Sequence, residues 1–363
     1  MLRQAARGLL ALAAITLLVE SSIGQPPAAS PDKITVRQKD GSTKNYDGTL
    51  QFAPAGLQII SPEKKTVAVI APGDITKIVP GELPGIDRGA MFGLLSSEDK
   101  KTKADYTAAR LGFMDMKKKA AAAPERTKRF LDFKLAQLTN RIADETGYDE
   151  KWQDVANEAA KGWTEFIAEY KTGYEVWAAA RSATRLYTEL NKYDDVARTW
   201  NRMTKKEVGL PADLLLEAQM QEIDAQIRSK TGAATAQVAA DALEKTAPAG
   251  TSKDKLAIYS LAAKAIAGGD AASGVKAIEE KINATKDAGT RGVGFGMLGE
   301  LYMAAGRPRD AMWAYLWVET VYNVDKDEAF KAMCRLVEVF QAQMDDDRVR
   351  MYQDKLRRAR GNF

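Results

Sequence analysis

Between residues 295 and 315 two helical stripes face each other across a turn: Phe295-x-x-Leu298-Gly299-x-x-Tyr302, then Ala305-Gly306-Arg307-Pro308, then Ala311 and Tyr315. Large residues three and four apart mark one face of a helix, and a Gly-x-Pro break ends one helix and starts the next. Gly299 and Ala311 are small enough to let two helix backbones approach, while Phe295, Leu298, Tyr302 and Tyr315 fill the space around that contact. The arrangement recurs. Tyr187, Asn191, Tyr193, Val196, Trp200 and Met203 form a second copy. Ile258, Leu261, Ala262, Ala265, Gly269, Gly274 and Ile278 form a third, and Met333, Leu336, Val337, Phe340, Val349 and Leu356 a fourth. The equivalent positions Tyr187, Ala265, Tyr302 and Phe340 are 78, 37 and 38 residues apart. The first gap has room for one more unit, between Leu214 and Lys245, whose register the sequence leaves open. A single helix pair cannot bury its apolar face alone, so about five such pairs must stack on one another.

This pattern resembles the tetratricopeptide repeat: a large residue, Leu-Gly, an aromatic, a Gly turn, then Ala and an aromatic on the returning helix. The family's closing Pro is replaced here by Asn323, and the gaps exceed the family's usual period of about 34 residues. The resemblance implies an α-solenoid in which the first helix of each pair lines a concave surface that holds a protein or peptide. In the family's register, Arg181, Arg185, Glu189, Tyr259, Glu300, Met303, Glu338 and Gln341 would be exposed on that inner surface and would contact the partner. The plainer alternative is an antiparallel helical array whose inner residues are ordinary solvated side chains.

Upstream the pattern changes. Arg3 and Arg7 precede an apolar run at residues 8–19, and small residues lead to Gly24. This reads as a signal peptide, 1–24, because 12 apolar residues are too few to cross a hydrocarbon core. Kept as an anchor rather than cleaved, it would tether the chain. The expected location is therefore exported: periplasmic, cell envelope or secreted. Residues 25–33 are Pro/Ala/Ser-rich and read as a linker.

Residues 34–80 carry short alternating apolar runs with turn signals at Asp40-Gly41 and Asp47-Gly48, the reading for about five strands in a small all-β, barrel-like domain. The segment resembles the Sm-like small barrel in outline, through Asp40-Gly41, Gly48-Thr49-Leu50, Leu57-Gln58-Ile59-Ile60 and Ile75 to Val79. Members of that family bind RNA through a loop centred on Arg-Gly. The equivalent stretch here is Ala71-Pro72-Gly73-Asp74, without the Arg, so no nucleic-acid partner is expected. A Pro/Gly-rich linker follows at 81–96, then a helical region at 97–173 and the repeat array at 174–363. The expected fold class is mainly α: an α-solenoid of TPR-like helix pairs preceded by the small β domain.

The chain contains no histidine and one cysteine, Cys334. Ser-His-Asp and Cys-His catalysis, His-ligated zinc and cysteine metal clusters are thereby excluded. Cys334 lies in an apolar helical run and reads as a buried small hydrophobe. The Gly292, Gly294, Gly296, Gly299 cluster lacks nucleotide-loop spacing and follows no strand. No catalytic residue, metal or cofactor is expected. After removal of 1–24 the net charge is +3, nearly neutral. A Lys/Arg-rich stretch at 100–134, with Lys117-Lys118-Lys119, is a candidate contact with an anionic wall polymer or membrane surface, or simply a solvated helix face. Asp345-Asp346-Asp347 reads as the acidic start of a final helix. The expected function is a non-catalytic binding or scaffold protein that holds a protein partner. The alternatives are a carboxylate-based hydrolase acting on envelope polysaccharide and a purely structural oligomerising module.

Overall fold

A computed structural model describes residues 30–98, 102–148, 151–229 and 231–360; the expected signal segment lies outside the described residues. The chain enters as a strand, β1 (Asp32–Arg37), and turns at Gly41, whose φ of +83° suits a residue without a Cβ. Asp40 accepts the backbone N–H of Ser42 and fixes this turn. The returning strand β2 (Thr43–Ala53) is longer than the sequence suggests. Asp47-Gly48, expected as a second turn, lies inside it, and the turn falls instead at Pro54 and Ala55. Gly48 is needed there for another reason. A Cβ at this position would come within 2.3 Å of the Ile60 carbonyl oxygen on the neighbouring strand. The strands β3 (Gly56–Ile60), β4 (Thr66–Ile70) and β5 (Ile75–Val79) complete an antiparallel sheet of order β4-β3-β2-β1-β5.

This sheet is open, not the barrel expected from the alternation. Its outermost strands, β4 and β5, have five residues each and do not pair with one another. A short 3-10 turn at Pro72–Asp74 carries the chain from one edge to the other. Closure would require the tilt and stagger of all strands to bring those edges into register. Ile34, Val36 and Ile59 form the sheet's core, backed by Tyr46, Leu50, Ala68, Ile70 and Ile75. Phe52 on β2 packs against the helical core, and the Asp32 carboxylate holds Arg126 at 2.7 Å, so sheet and helices touch.

Helices follow: α1 (Arg88–Glu98), which starts inside the stretch read as linker, α2 (Lys103–Lys119), α3 (Glu125–Glu145) and α4 (Trp152–Glu169). The stripe expected on α4 is buried through Trp152, Ala156, Ala159, Trp163, Phe166 and Ile167. Five helix pairs come next: α5 (Tyr174–Glu189) with α6 (Tyr193–Met203), α7 (Ala212–Arg228) with α8 (Ala233–Thr246), α9 (Thr251–Gly268) with α10 (Ala271–Ala284), α11 (Ala288–Ala304) with α12 (Pro308–Thr320), and α13 (Lys326–Ala342) with α14 (Asp346–Ala359). This is an α-solenoid of TPR-like pairs, and the unit whose register the sequence left open is α7–α8.

Four of the five turns share one backbone device. Asn191, Gly269, Gly306 and Met344 all adopt positive φ, at 56°, 69°, 68° and 57°. The next residue's N–H then reaches back to the carbonyl of Tyr187, Ala265, Tyr302 or Phe340 at 2.8–3.0 Å. That left-handed residue and long return bond end a helix and redirect the chain. The close approach expected at Gly299 is also present, since a Cβ there would lie 2.3 Å from the ring of Tyr315.

Candidate functional site

The first helices of the pairs, α5, α7, α9, α11 and α13, line the inside of the superhelix. Its curvature brings α13 against α5, and this contact decides the fate of the inner surface. Arg228, at the end of α7, is fully buried. Its Nε donates to Asp224 at 2.9 Å, one Nη to Glu300 at 3.1 Å and the other to Glu328. Arg335 on α13 makes a two-pronged contact with Glu300, both bonds at 2.9 Å, and also donates to the Arg228 carbonyl and to Asn191. Its guanidinium lies 4.3 Å from the centre of the Tyr193 ring. Lys331 completes the set, 2.7 Å from Asp224, and the Tyr315 hydroxyl donates to Glu300. Three carboxylates thus face three cations away from water.

The local charges reflect this. Burial works to raise Asp224, yet Arg228 and Lys331 hold its carboxyl below the usual range. For Glu328 burial wins, and its carboxyl lies above the usual value despite the same two cations. Lys331 is raised: burial opposes its charge, and Asp224 and Glu328 more than compensate. The glycine cluster on α11 serves this packing. A Cβ at Gly296 would lie 2.3 Å from the Glu328 carboxylate, and one at Gly294 would lie 2.5 Å from Ile282.

A second lock sits where the last helix meets the third and fifth. Arg360 is buried; its Nε and one Nη hold the Glu189 carboxylate, and the other Nη donates to the carbonyls of Ala143, Asp144 and Thr146. The rings of Tyr148 and Trp152 lie 4.7 and 4.8 Å from the guanidinium. Burial pushes the Glu189 carboxyl up to about 7, against the pull of Arg360.

The eight inner-face residues expected to be exposed divide accordingly. Arg185 is buried against Asp144 at 2.6 Å, Glu189 against Arg360, Glu300 between Arg228 and Arg335, and Tyr259 within the α9 core. Glu338 is half-buried beside Arg335, and Met303 packs beside the core formed by α12, α13 and α14. Arg181 is partly exposed but holds both oxygens of Asp327 at 3.1 Å, and Gln341 is exposed. Four of these residues are therefore withdrawn from solvent, Glu189 and Glu300 by the last helix pair and Arg185 and Tyr259 by neighbouring helices.

Other expectations resolve locally. In the basic stretch, Arg110, Lys117, Lys119, Arg126 and Arg129 each pair with a carboxylate, which favours the solvated-face reading. A cleft of about 580 Å³ lies between α2 and α4 with α3 as its floor. Four carboxylates line it, and three of them, Asp132, Glu158 and Glu165, pair with Lys117, Arg110 and Lys161. Asp345 caps α14 by accepting the Arg348 N–H, and Cys334 is buried.

The outer side of the array presents an apolar strip. Trp313 and Trp317 lie four residues apart on α12, Val321 caps its end another four on, and Val324 lies in the turn beyond; each is between 46% and 62% exposed. Phe295, Trp317 and Tyr322 form a three-ring cluster, with ring centres 5.6, 5.3 and 6.1 Å apart. Large apolar side chains grouped on a surface mark an interaction site more often than scattered ones do. The signal was in the sequence. The stretch Ala311-Met312-Trp313-Ala314-Tyr315-Leu316-Trp317-Val318 is apolar on every side, and one helix in an outer layer can bury only part of that.

No family model matches the chain, and no curated protein matches it. Among solved structures, the chain is similar to a tetratricopeptide repeat protein from Parabacteroides merdae, with 14% identity and a TM-score of 0.42 over 75% of this chain and 99% of that one.

Proposed function

We propose that this protein is an exported, non-catalytic scaffold that holds a protein partner on the outer strip of α12 rather than along its inner face. The observation that carries this reading is the division of the surface. Inner-face side chains neutralise one another, and withdrawing any one to meet a partner would leave its counter-charge buried and unpaired. Trp313 and Trp317, by contrast, are already presented to solvent. Tryptophan is over-represented among the few residues that dominate binding energy. Anchors at four-residue steps, beside the recessed Phe295 of α11, suit the apolar face of an amphipathic helix. Among the described residues no helix is long and apolar enough to cross a membrane.

The test is affinity capture from envelope extract with Trp313→Ala/Trp317→Ala beside Arg181→Ala. The tryptophan pair should weaken capture at least tenfold, about 1.4 kcal/mol, while Arg181→Ala leaves it unchanged. The opposite ranking would return the site to the inner face. Export rests on the charged start and short apolar run. It predicts a mature chain beginning near Gln25 by N-terminal sequencing; a chain beginning at Met1 in the cytoplasmic fraction would end that part of the proposal.

A further inference from the structure

The open sheet leaves two edges, and they are not equivalent. β5 carries the exposed Lys77 and is followed at once by Pro80, which has no N–H to donate. Charge and proline are the usual guards of a sheet edge. β4 reads Thr66-Val67-Ala68-Val69-Ile70 and has neither. Its inward side chains Ala68 and Ile70 meet the sheet core. Its outward side chains, Val67 and Val69, are 47% and 54% exposed, and on its far side no strand is bonded to it among the described residues. Such a strand offers a row of unpaired backbone groups flanked by apolar side chains, which is a template for another strand.

We propose that two copies of this chain pair through β4, antiparallel about a two-fold axis at Ala68. In that register Val67 lies opposite Val69 of the second copy on both sides of the axis, and Thr66 lies opposite Ile70. No charge falls within the paired segment. Directly opposed branched apolar side chains are favourable cross-strand pairs. The charged side chains nearest the strand, Glu63, Lys64 and Lys65, precede Thr66 and lie outside the paired segment. A two-fold interface uses the same patch twice, so this single self-complementary strand closes the assembly at two copies.

The experiment is sedimentation velocity on the full mature chain over a concentration series, with far-UV circular dichroism as the folding control. The wild type should sediment as a dimer that dissociates on dilution. Val67→Lys/Val69→Lys should be a folded monomer across the series. Val67→Thr/Val69→Thr, which keeps branched side chains in the strand but removes apolar surface, should weaken the dimer at least tenfold. A wild type that stays monomeric at its highest soluble concentration would overturn the proposal. So would a dimer that survives Val67→Lys/Val69→Lys, or one abolished by Trp313→Ala/Trp317→Ala instead.

Discussion

Arg360→Ala tests whether the closed superhelix depends on its terminal lock. The wild-type guanidinium satisfies one carboxylate and three backbone carbonyls between two rings. Truncation leaves Glu189, whose side chain is about 1% exposed, without its counter-charge. Removing one partner of a buried ion pair costs about 3–5 kcal/mol, most of it the uncompensated charge. The cost should depend on pH in a defined sense. In the wild type Glu189 titrates near 7, against an ordinary value of 4.5. Without Arg360 its folded value rises further, because burial then acts unopposed. Between those two folded values the wild-type carboxyl is ionised and the variant's is protonated, so the penalty grows with pH. Urea unfolding at about pH 6 and about pH 8 should therefore show a larger loss at the higher pH. Arg360→Met combined with Glu189→Leu should recover most of the stability, since apolar groups of similar size replace a buried pair with little loss. A loss below about 1 kcal/mol at pH 8, the range of an exposed pair, would refute the reasoning. So would a penalty that does not change with pH.

Two further outcomes follow from the same structure. Glu189 has a folded value above its unfolded one, so the folded state holds the extra proton. The wild type should lose stability as pH rises from about 4.5 to about 7 through this group, and Glu189→Gln should remove that part of the slope in a pH series of melts. Gly299→Ala places a methyl group 2.3 Å from the Tyr315 ring, and overpacking of this kind costs about 1–3 kcal/mol; unchanged denaturation would show that the α11–α12 contact is looser than described.

The repeat architecture was legible because its causes are local. A helix stripe needs residues three and four apart, and the turn needs one residue tolerant of positive φ. Asn191, Gly269 and Gly306 supply it, each four residues beyond the marker positions Tyr187, Ala265 and Tyr302. Met344 meets the same need without a compositional signal, which is why that unit reads less clearly. The β strands were legible in number but not in closure. Alternation reports which side chains share a face, whereas whether β4 meets β5 depends on the summed bend and stagger of five strands. Asp47-Gly48 misled for a related reason. Its glycine answers a close backbone approach from Ile60 on the next strand, a pairing that depends on where the β2–β3 turn falls.

The inner face shows where sequence stops. The repeat register suggests which residues lie on it, and Arg185, Glu189 and Glu300, expected there as exposed contacts, are instead buried in ion pairs. Whether they are open to a partner is set by superhelical curvature, which accumulates a small rotation at every pair. Here the accumulated rotation brings Arg360 to Glu189 and Arg335 to Asn191, residues 171 and 144 positions apart. No local pattern encodes those meetings. Only the tertiary structure decides that charges which would otherwise be solvated face one another in a space without water, and that the exposed apolar surface lies on the opposite side of the array.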